Sequence, residues 1–344
     1  MLNALTIDIE DYFQVHAFSN VIKYEDWDKF ECRIERNTDK VLQILKDLPP
    51  TVALNHRASQ HATFFVLGWI AERYADLIRR IQKEGHEIAC HGYAHQLIYN
   101  QSRDEFRQDI RKAKAILEDI TGSEVIGYRG PSYSITRKSQ WAFETLMEEG
   151  FKYDSSIFPI RHDFYGMPEA PRFPFIVSLN GKNSYEFSML NDELSTSQTL
   201  KLITQSFQFN IPQSVISDPR FIVEFPISTM KLFGQNLPIS GGGYFRLFPY
   251  PVIRKGLKSI NEKEEKPFIF YMHPWEIDPE QPRITGLSSR SKFRHYINLD
   301  KTDSKFRRLL KDFKFSTVRG ALENNSGTLA NLDNSTDPIT EATQ

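Results

Sequence analysis

The sequence predicts an α/β protein, a barrel or open sheet of βα units. Short apolar runs alternate with amphipathic stretches, three such units follow one another, and polar residues able to do chemistry fall where the predicted strands end. Leu5 to Ile9 reads as the first strand and Ala62 to Leu67 as the second, followed by a helix over Ala71 to Ile81 that stops near Gly85. Glu87 to Cys90 then reads as a strand, Asp104 to Ile120 as a charged helix closed near Gly122, Val125 to Tyr128 as a strand, and Ser139 to Glu149 as a helix ended by Gly150. Phe221 to Phe225 and Phe268 to Met272 are apolar enough for buried parallel strands. A helix over Ser304 to Phe313 leads to a possible closing strand around Phe315 to Val318. About 157–217 is irregular and reads as an insertion or lid, so one domain over 1–320 is expected, with a disordered tail over 321–344 that is rich in Asn, Ser, Thr and Asp.

Composition narrows the function. The 344 residues carry 43 Lys plus Arg against 44 Asp plus Glu, a formal charge of −1, which leaves no global basic field to attract nucleic acid. A neutral partner such as a glycan fits better. The two cysteines, Cys32 and Cys90, give no disulfide framework, and Cys90 lies in an apolar strand-like run. The first residues lack the pattern of a secretion signal and no apolar run reaches membrane-spanning length, so cytoplasmic residence is the expectation.

The polar residues at the strand ends are Asp8-Ile9-Glu10-Asp11, His91-Gly92-Tyr93-Ala94-His95, Tyr128-Arg129-Gly130-Pro131, Tyr153-Asp154-Ser155-Ser156 and Met272-His273-Pro274. In α/β barrels the active site is assembled at that rim. His91 and His95, four apart, can converge on one cation across a turn; an acidic residue beside them would leave open positions for water and substrate, the usual catalytic arrangement. Strand alternation puts Asp8 and Glu10 on one face, which favours Glu10 as the carboxylate ligand and leaves Asp8 as general base, with Arg129 its charge partner. His273 is placed to protonate a departing amine, with Asp154 expected to orient it or raise its pKa. Tyr244 and Arg246, after three glycines, are candidates to bind sugar or simply to follow a turn.

As a set these motifs resemble the NodB homology domain of the polysaccharide deacetylases, carbohydrate esterase family 4. Thr6-Ile7-Asp8-Ile9-Glu10-Asp11 resembles the first motif, Ala62-Thr63-Phe64-Phe65 the second strand, Gly85 through His95 the metal motif and Arg129-Gly130-Pro131-Ser132 the third. Gly241-Gly242-Gly243-Tyr244-Phe245-Arg246 and His273-Pro274-Trp275-Glu276-Ile277-Asp278 resemble a subgroup found beside bacterial exopolysaccharide export genes. The resemblance covers about residues 3–320. It implies a distorted (β/α) barrel, one divalent cation (zinc expected; cobalt, nickel or manganese admissible) on Glu10, His91 and His95, a catalytic aspartate at Asp8 and a histidine acid at His273. An acetylated glycan or amino-sugar precursor is the implied partner, with Pro131, Ser132, Tyr133, Tyr244, Arg246 and Trp275 near it and an oxyanion N–H donor in the Pro131 to Tyr133 loop. The family's adjacent Asp-Asp appears here as Asp-x-Glu-Asp, which leaves the carboxylate ligand open between Glu10 and Asp11. Two other readings remain: hydrolysis of a small cyclic or linear amide, and glycan binding without turnover. Oligomeric state is not readable.

Overall fold

The structure, a computed structural model, describes residues 1–47, 60–179, 185–189 and 220–324. Strand β1 (Asn3–Ile9) shows why a barrel forms. It is buried along its whole length, and its side chains alternate between two apolar clusters. Leu5, Ile7 and Ile9 pack outward with the flanking helices. Ala4 packs inward with Phe65, Ala89, Tyr153, Val223, Ile269 and Tyr271. By the two-residue period of a strand, Thr6 and Asp8 share that inner face.

Around β1 the strands β2 (Thr63–Val66), β3 (Glu87–Cys90), β4 (Gly127–Tyr128), β5 (Tyr153–Asp154), β8 (Phe221–Glu224) and β11 (Ile269–Met272) lie parallel, in the order β11-β1-β2-β3-β4-β5-β8. Between β8 and β11 the ring is completed by side chains and a single bridge rather than a full strand. The Ile269 N–H donates to Ser228 Oγ at 2.9 Å, Ser240 Oγ donates to the Ser228 carbonyl at 2.7 Å, and Gly241 pairs with Tyr271. A Cβ at Gly241 would lie 2.0 Å from the Tyr271 carbonyl oxygen, so only glycine permits that approach. This is the distorted α/β barrel that the sequence leads one to expect.

Three sequence expectations change. The stretch read as one helix from Ala71 to Ile81 is two, Gly68–Arg73 and Ala75–Lys83, because Tyr74 (φ −127°, ψ 47°) leaves the helical region between them. The insertion expected over 157–217 is not irregular throughout. Within it β6 (Phe175–Leu179) and β7 (Tyr185–Met189) form an antiparallel pair that extends the sheet from β8, while residues 180–184 and 190–219 lie outside the described residues. At the C-terminus β12 (Phe315–Ser316) pairs with Asn3 and Ala4 of β1, on the edge that β2 takes further along. The helix Val318–Asn324 then runs into the stretch read as tail, because Ala321 is buried and the Val318 N–H is held by Thr63 Oγ1 at 2.8 Å. Residues from 325 on lie outside the described residues. A hairpin, β9 (Thr229–Leu232) and β10 (Gln235–Pro238), leads into the Gly241 bridge. Among the described residues no helix is long and apolar enough to cross a membrane.

Candidate active site

The rim at the C-terminal ends of the parallel strands gathers most of the predicted site residues. One ligand atom each from Glu10, His91 and His95 lies within 4.8 Å of the others. His91 directly follows β3 and is buried, with Nδ1 2.7 Å from the Arg129 carbonyl. A carbonyl only accepts, so Nδ1 carries the proton and Nε2 presents a lone pair to the cluster. Burial, and secondarily the neighbouring imidazole of His95 against the raising pull of Asp8, pushes His91 down to about 4, the neutral form a ligand needs.

His95 reaches the cluster through a tight turn. Its φ is +52°, and Gly92 has φ +73° with no room for a Cβ, which would meet Asp109 Oδ2 at 2.7 Å. The Asp109 carboxylate accepts the N–H groups of Tyr93 (2.8 Å) and Ala94 (3.2 Å) and so fixes the turn. A non-glycine residue held at positive φ at a functional rim costs of order 1–3 kcal/mol and persists where its surroundings over-determine it. Asp109 sits on the Arg103–Thr121 helix, fourteen residues beyond His95, and no local pattern announces its role.

Glu10 Oε2 lies 2.8 Å from His95 Nε2, yet the two make no well-aligned hydrogen bond and Oε2 is buried without any other partner. Two acceptor-bearing atoms that approach without pairing suit a shared cation between them. Burial would raise the Glu10 carboxyl, but the imidazoles of His95 and His273 outweigh it and hold it down at about 2. Asp11 faces elsewhere. Its Oδ1 accepts the Tyr12 N–H at 2.8 Å, its Oδ2 accepts the Arg33 N–H, and burial pushes it up to about 6. Of the two candidate carboxylates, only Glu10 stands in the cluster.

Asp8 and Arg129 form a buried ion pair, Arg129 Nη1 to Asp8 Oδ1 at 2.6 Å, with Arg129 fully enclosed inside the barrel. The guanidinium also donates to Thr6 Oγ1 (2.8 Å), Ser155 Oγ (2.9 Å) and the Ser155 carbonyl (3.1 Å), and lies 4.2 Å over the Phe65 ring. Four of the five N–H donors of the guanidinium that meets Asp8 are thus held. Asp8 Oδ2 remains on the side of His273, 3.7 Å from its Nε2.

His273 follows β11 and stands 3.3 Å from Glu10 Oε1. Its orienting carboxylate is Glu276, whose Oε1 lies 2.6 Å from Nδ1 and also accepts the His273 backbone N–H. Asp154 does not do this. It pairs in register with Glu224 across β5 and β8 and accepts Ser156 Oγ at 2.6 Å, so its assignment to His273 is corrected to Glu276. Burial lowers the imidazole, but Glu10 and Glu276 outweigh it and raise His273 to about 9. Behind Glu276 stands Arg246, buried, with Nε 2.7 Å from Glu276 Oε2. Arg246, a candidate either to bind sugar or simply to follow a turn, is enclosed and engaged by Glu276. Trp275 is also enclosed, its ring stacked between His273 (5.2 Å) and His295 (4.2 Å), with Nε1 3.5 Å from Glu10 Oε1. It positions the site rather than facing substrate. The His-Pro-Trp-Glu run carries a readable signal for Glu276, a proline at the first helical position and an acid three residues past the cap.

In the Pro131 to Tyr133 loop, Pro131 is buried and has no N–H, and the Tyr133 N–H is taken by the Gly130 carbonyl at 3.0 Å. The Ser132 N–H has no acceptor among the described residues and is the donor this loop offers; Ser132 (φ +50°) and Tyr133 (φ +55°) are both left-handed. Tyr244 is half-buried, its ring stacked with Phe248.

Asp154 and Glu224 form a second buried carboxyl pair behind this loop. Ser156 Oγ, held by Asp154, accepts the Gly130 N–H at 2.6 Å, and Glu224 Oε1 accepts the Ile157 N–H at 2.9 Å. Burial raises both carboxyls, and the facing Asp154 charge raises Glu224 further, so the pair keeps a proton. Unfolded, Glu224 ionises near 4.5; folded, it stays protonated well above that. The folded state therefore binds more protons over that range, and stability falls as pH rises through it. Glu224→Gln supplies a neutral donor of the same shape and is expected to flatten this slope. Urea-unfolding midpoints from pH 5 to 9 measure it, and an unchanged slope would count against the shared proton.

Comparison with known proteins agrees with this geometry. Residues 24–147 match the polysaccharide deacetylase family, and residues 204–323 match a domain of unknown function, DUF3473. A peptidoglycan-N-acetylglucosamine deacetylase of Bacillus cereus is 35% identical over 102 residues, 28% of this chain and 37% of that protein. A peptidoglycan deacetylase of Helicobacter pylori is 27% identical over 117 residues, 34% of this chain and 38% of that protein. The chain thus spans little more than a third of the length of each. A crystal structure from Mycobacterium smegmatis, assigned as a polysaccharide deacetylase, shares the fold with a TM-score of 0.52 over 93% of this chain and 88% of that one, at 16% identity. The first family match takes in His91, His95 and Arg129, the second His273, Arg246 and Glu276, and the barrel brings them together. Over residues 24–147 the chain is similar to the polysaccharide deacetylase family, and it shares the fold of the Mycobacterium smegmatis protein.

Proposed function

We propose that this protein hydrolyses N-acetyl groups from amino sugars of a polysaccharide or its precursor, using one divalent cation, zinc by the donor set, held by Glu10, His91 and His95. The observation that carries the reading is the convergence of those three ligand atoms with Asp8 on one side and an oriented His273 on the other. A bound cation supplies Lewis acidity, polarising the acetyl carbonyl and making water a stronger acid.

The chain's own groups divide the remaining work. Asp8, aimed by the Arg129 guanidinium, takes the proton of the attacking water. The Ser132 N–H is the backbone donor for the oxyanion. As the C–N bond breaks, His273 gives the proton on Nε2 to the amine, while Glu276 holds Nδ1 and favours the imidazolium. Acetate and a free amino sugar leave. The names of the Bacillus cereus and Helicobacter pylori relatives point to acetylated glycans, and the Gly241 to Arg246 and His273 to Asp278 segments support the exopolysaccharide-associated subgroup.

The test is acetate release by the purified chain, supplied with zinc or cobalt, from N-acetylglucosamine oligomers and, in parallel, formation of the ring-opened or cleaved carboxylate product from ureide-type amides. Release from the oligomers alone is expected. Turnover of the ureides instead would move the reading to a small-amide hydrolase. No turnover of either, together with glycan binding that Asp8→Asn leaves intact, would make it a binding protein.

A further inference from the structure

The short helix Gly242–Leu247 has little to hold it from within. Glycines stand at its cap and its first two positions, Gly241, Gly242 and Gly243, and glycine is among the poorest helix formers. The carbonyls of its last turn have no acceptor role inside the helix. They are taken from outside by Lys305, on the helix Leu299–Asp312. Lys305 Nζ donates to the carbonyls of Phe245 (3.1 Å), Arg246 (2.9 Å) and Phe248 (2.9 Å). An ammonium has three N–H donors, so these three carbonyls use them all. Asn298 Nδ2 donates to the Arg246 carbonyl as well, at 3.0 Å.

The residue clamped in this way is Arg246. Its buried guanidinium runs to the catalytic rim, where Nε lies 2.7 Å from Glu276 Oε2 and Nη1 donates to the carbonyls of His295 and Ile297. With its other oxygen the buried Glu276 holds His273 Nδ1 at 2.6 Å. Direct contacts therefore run from Lys305 through the helix end, Arg246 and Glu276 to His273. All of these residues lie within 204–323, the stretch that matches the domain of unknown function, whereas His91 and His95 lie in the other match.

We infer that Lys305 is a positioning residue for the proton donor. By clamping the end of the helix Gly242–Leu247 it sets Arg246 against Glu276 and so aims His273 Nε2 at the leaving nitrogen. The stretch 204–323 thereby acquires a task, to carry and aim the acid half of the site. The consequence for catalysis rests on the deacetylase reading; the clamp itself does not. An amide expels its amine only once the nitrogen is protonated, whereas an aryl ester releases a phenolate without that proton. A misaimed acid slows the amide and largely spares the aryl ester. A loosened fold slows both.

The experiment compares the wild-type chain with Lys305→Met, which keeps the aliphatic stem and removes the three donors, and with Lys305→Arg, which keeps a cation. Each is supplied with zinc and given chitotetraose and 4-nitrophenyl acetate, with rates taken above those of the chelated protein. In Lys305→Met the ratio of kcat/KM for amide over ester is expected to fall about tenfold, part of the roughly 10²–10⁴-fold that general acid catalysis supplies. The fall lies in kcat on chitotetraose rather than in KM, and Lys305→Arg restores most of it. Molecules that fail to fold drop out of both rates, so the ratio is blind to them. An unchanged ratio, with or without equal losses on both substrates, overturns the inference. A second readout needs no turnover. The proton on His273 Nδ1, bonded to Glu276, gives a far-downfield NMR resonance, identified by its absence from His273→Gln, and Lys305→Met is expected to shift or broaden it. If no acetate is released by any of the proteins yet this resonance moves, the positioning stands and the deacetylase reading falls. If the resonance keeps its place and width, the positioning falls whatever the enzyme does.

Discussion

Replacing His91 and His95 together by alanine is expected to remove stoichiometric divalent-ion binding and to lower acetate release by about 10³-fold or more, since a metal's Lewis acidity supplies several kcal/mol of transition-state stabilisation. Glu10 alone would not hold the proposed ion. Its carboxylate is one donor in a pocket whose other lone pairs come from the two imidazoles. The variant also vacates two buried rings, so His95→Gln serves as a companion that keeps volume and polarity while removing the imidazole donor. It should lose most of the bound ion with a smaller change in melting temperature. Elemental analysis of the dialysed proteins against protein concentration measures both. Unchanged ion content in the double variant would mean that the cation, and the mechanism built on it, sits elsewhere.

The alternation in β1 is readable and decisive: Leu5, Ile7 and Ile9 go out to the helices, and Ala4, Thr6 and Asp8 go in, which puts the proposed general base inside the barrel without any further information. Glu10 reaches the same rim by another route. The strand ends at Ile9, and the Glu10 N–H turns back to the Asp8 carbonyl at 3.0 Å, so a turn rather than strand alternation aims its carboxylate while Asp11 is drawn into backbone bonds. Asp154 shows the limit. Its position at a strand end is right, but its partner is fixed by which strand lies beside β5, and the neighbour is β8 with Glu224, about seventy residues away. Arg246 and Asp109 fail to be legible for the same reason. Each acts on a residue that the chain brings near only after the barrel forms, Glu276 thirty residues later and the Tyr93–Ala94 backbone fifteen or sixteen earlier.

Asp8 and Arg129 are expected to respond oppositely to removal. Arg129→Met fills similar space but leaves the Asp8 carboxylate, 2% exposed, without its countercharge, and breaking one side of a buried pair costs about 3–5 kcal/mol. The loss falls on stability first, read as a lower urea midpoint. It also lowers the rate, because Ser155, Thr6 and Asp8 are no longer held in one frame. Asp8→Asn keeps an oxygen within reach of Arg129 Nη1 at nearly the same volume, so its fold should suffer less. What it loses is the base, and general-base removal costs about 10²–10⁴-fold in kcat. A large stability loss in the arginine variant with a modest one in the asparagine variant, and the larger kcat loss in the latter, is the pattern that separates a framework cation from a proton acceptor. If Asp8→Asn retained wild-type kcat, Asp8 would be a structural partner of Arg129 and the water's proton would have to go to another group on the rim.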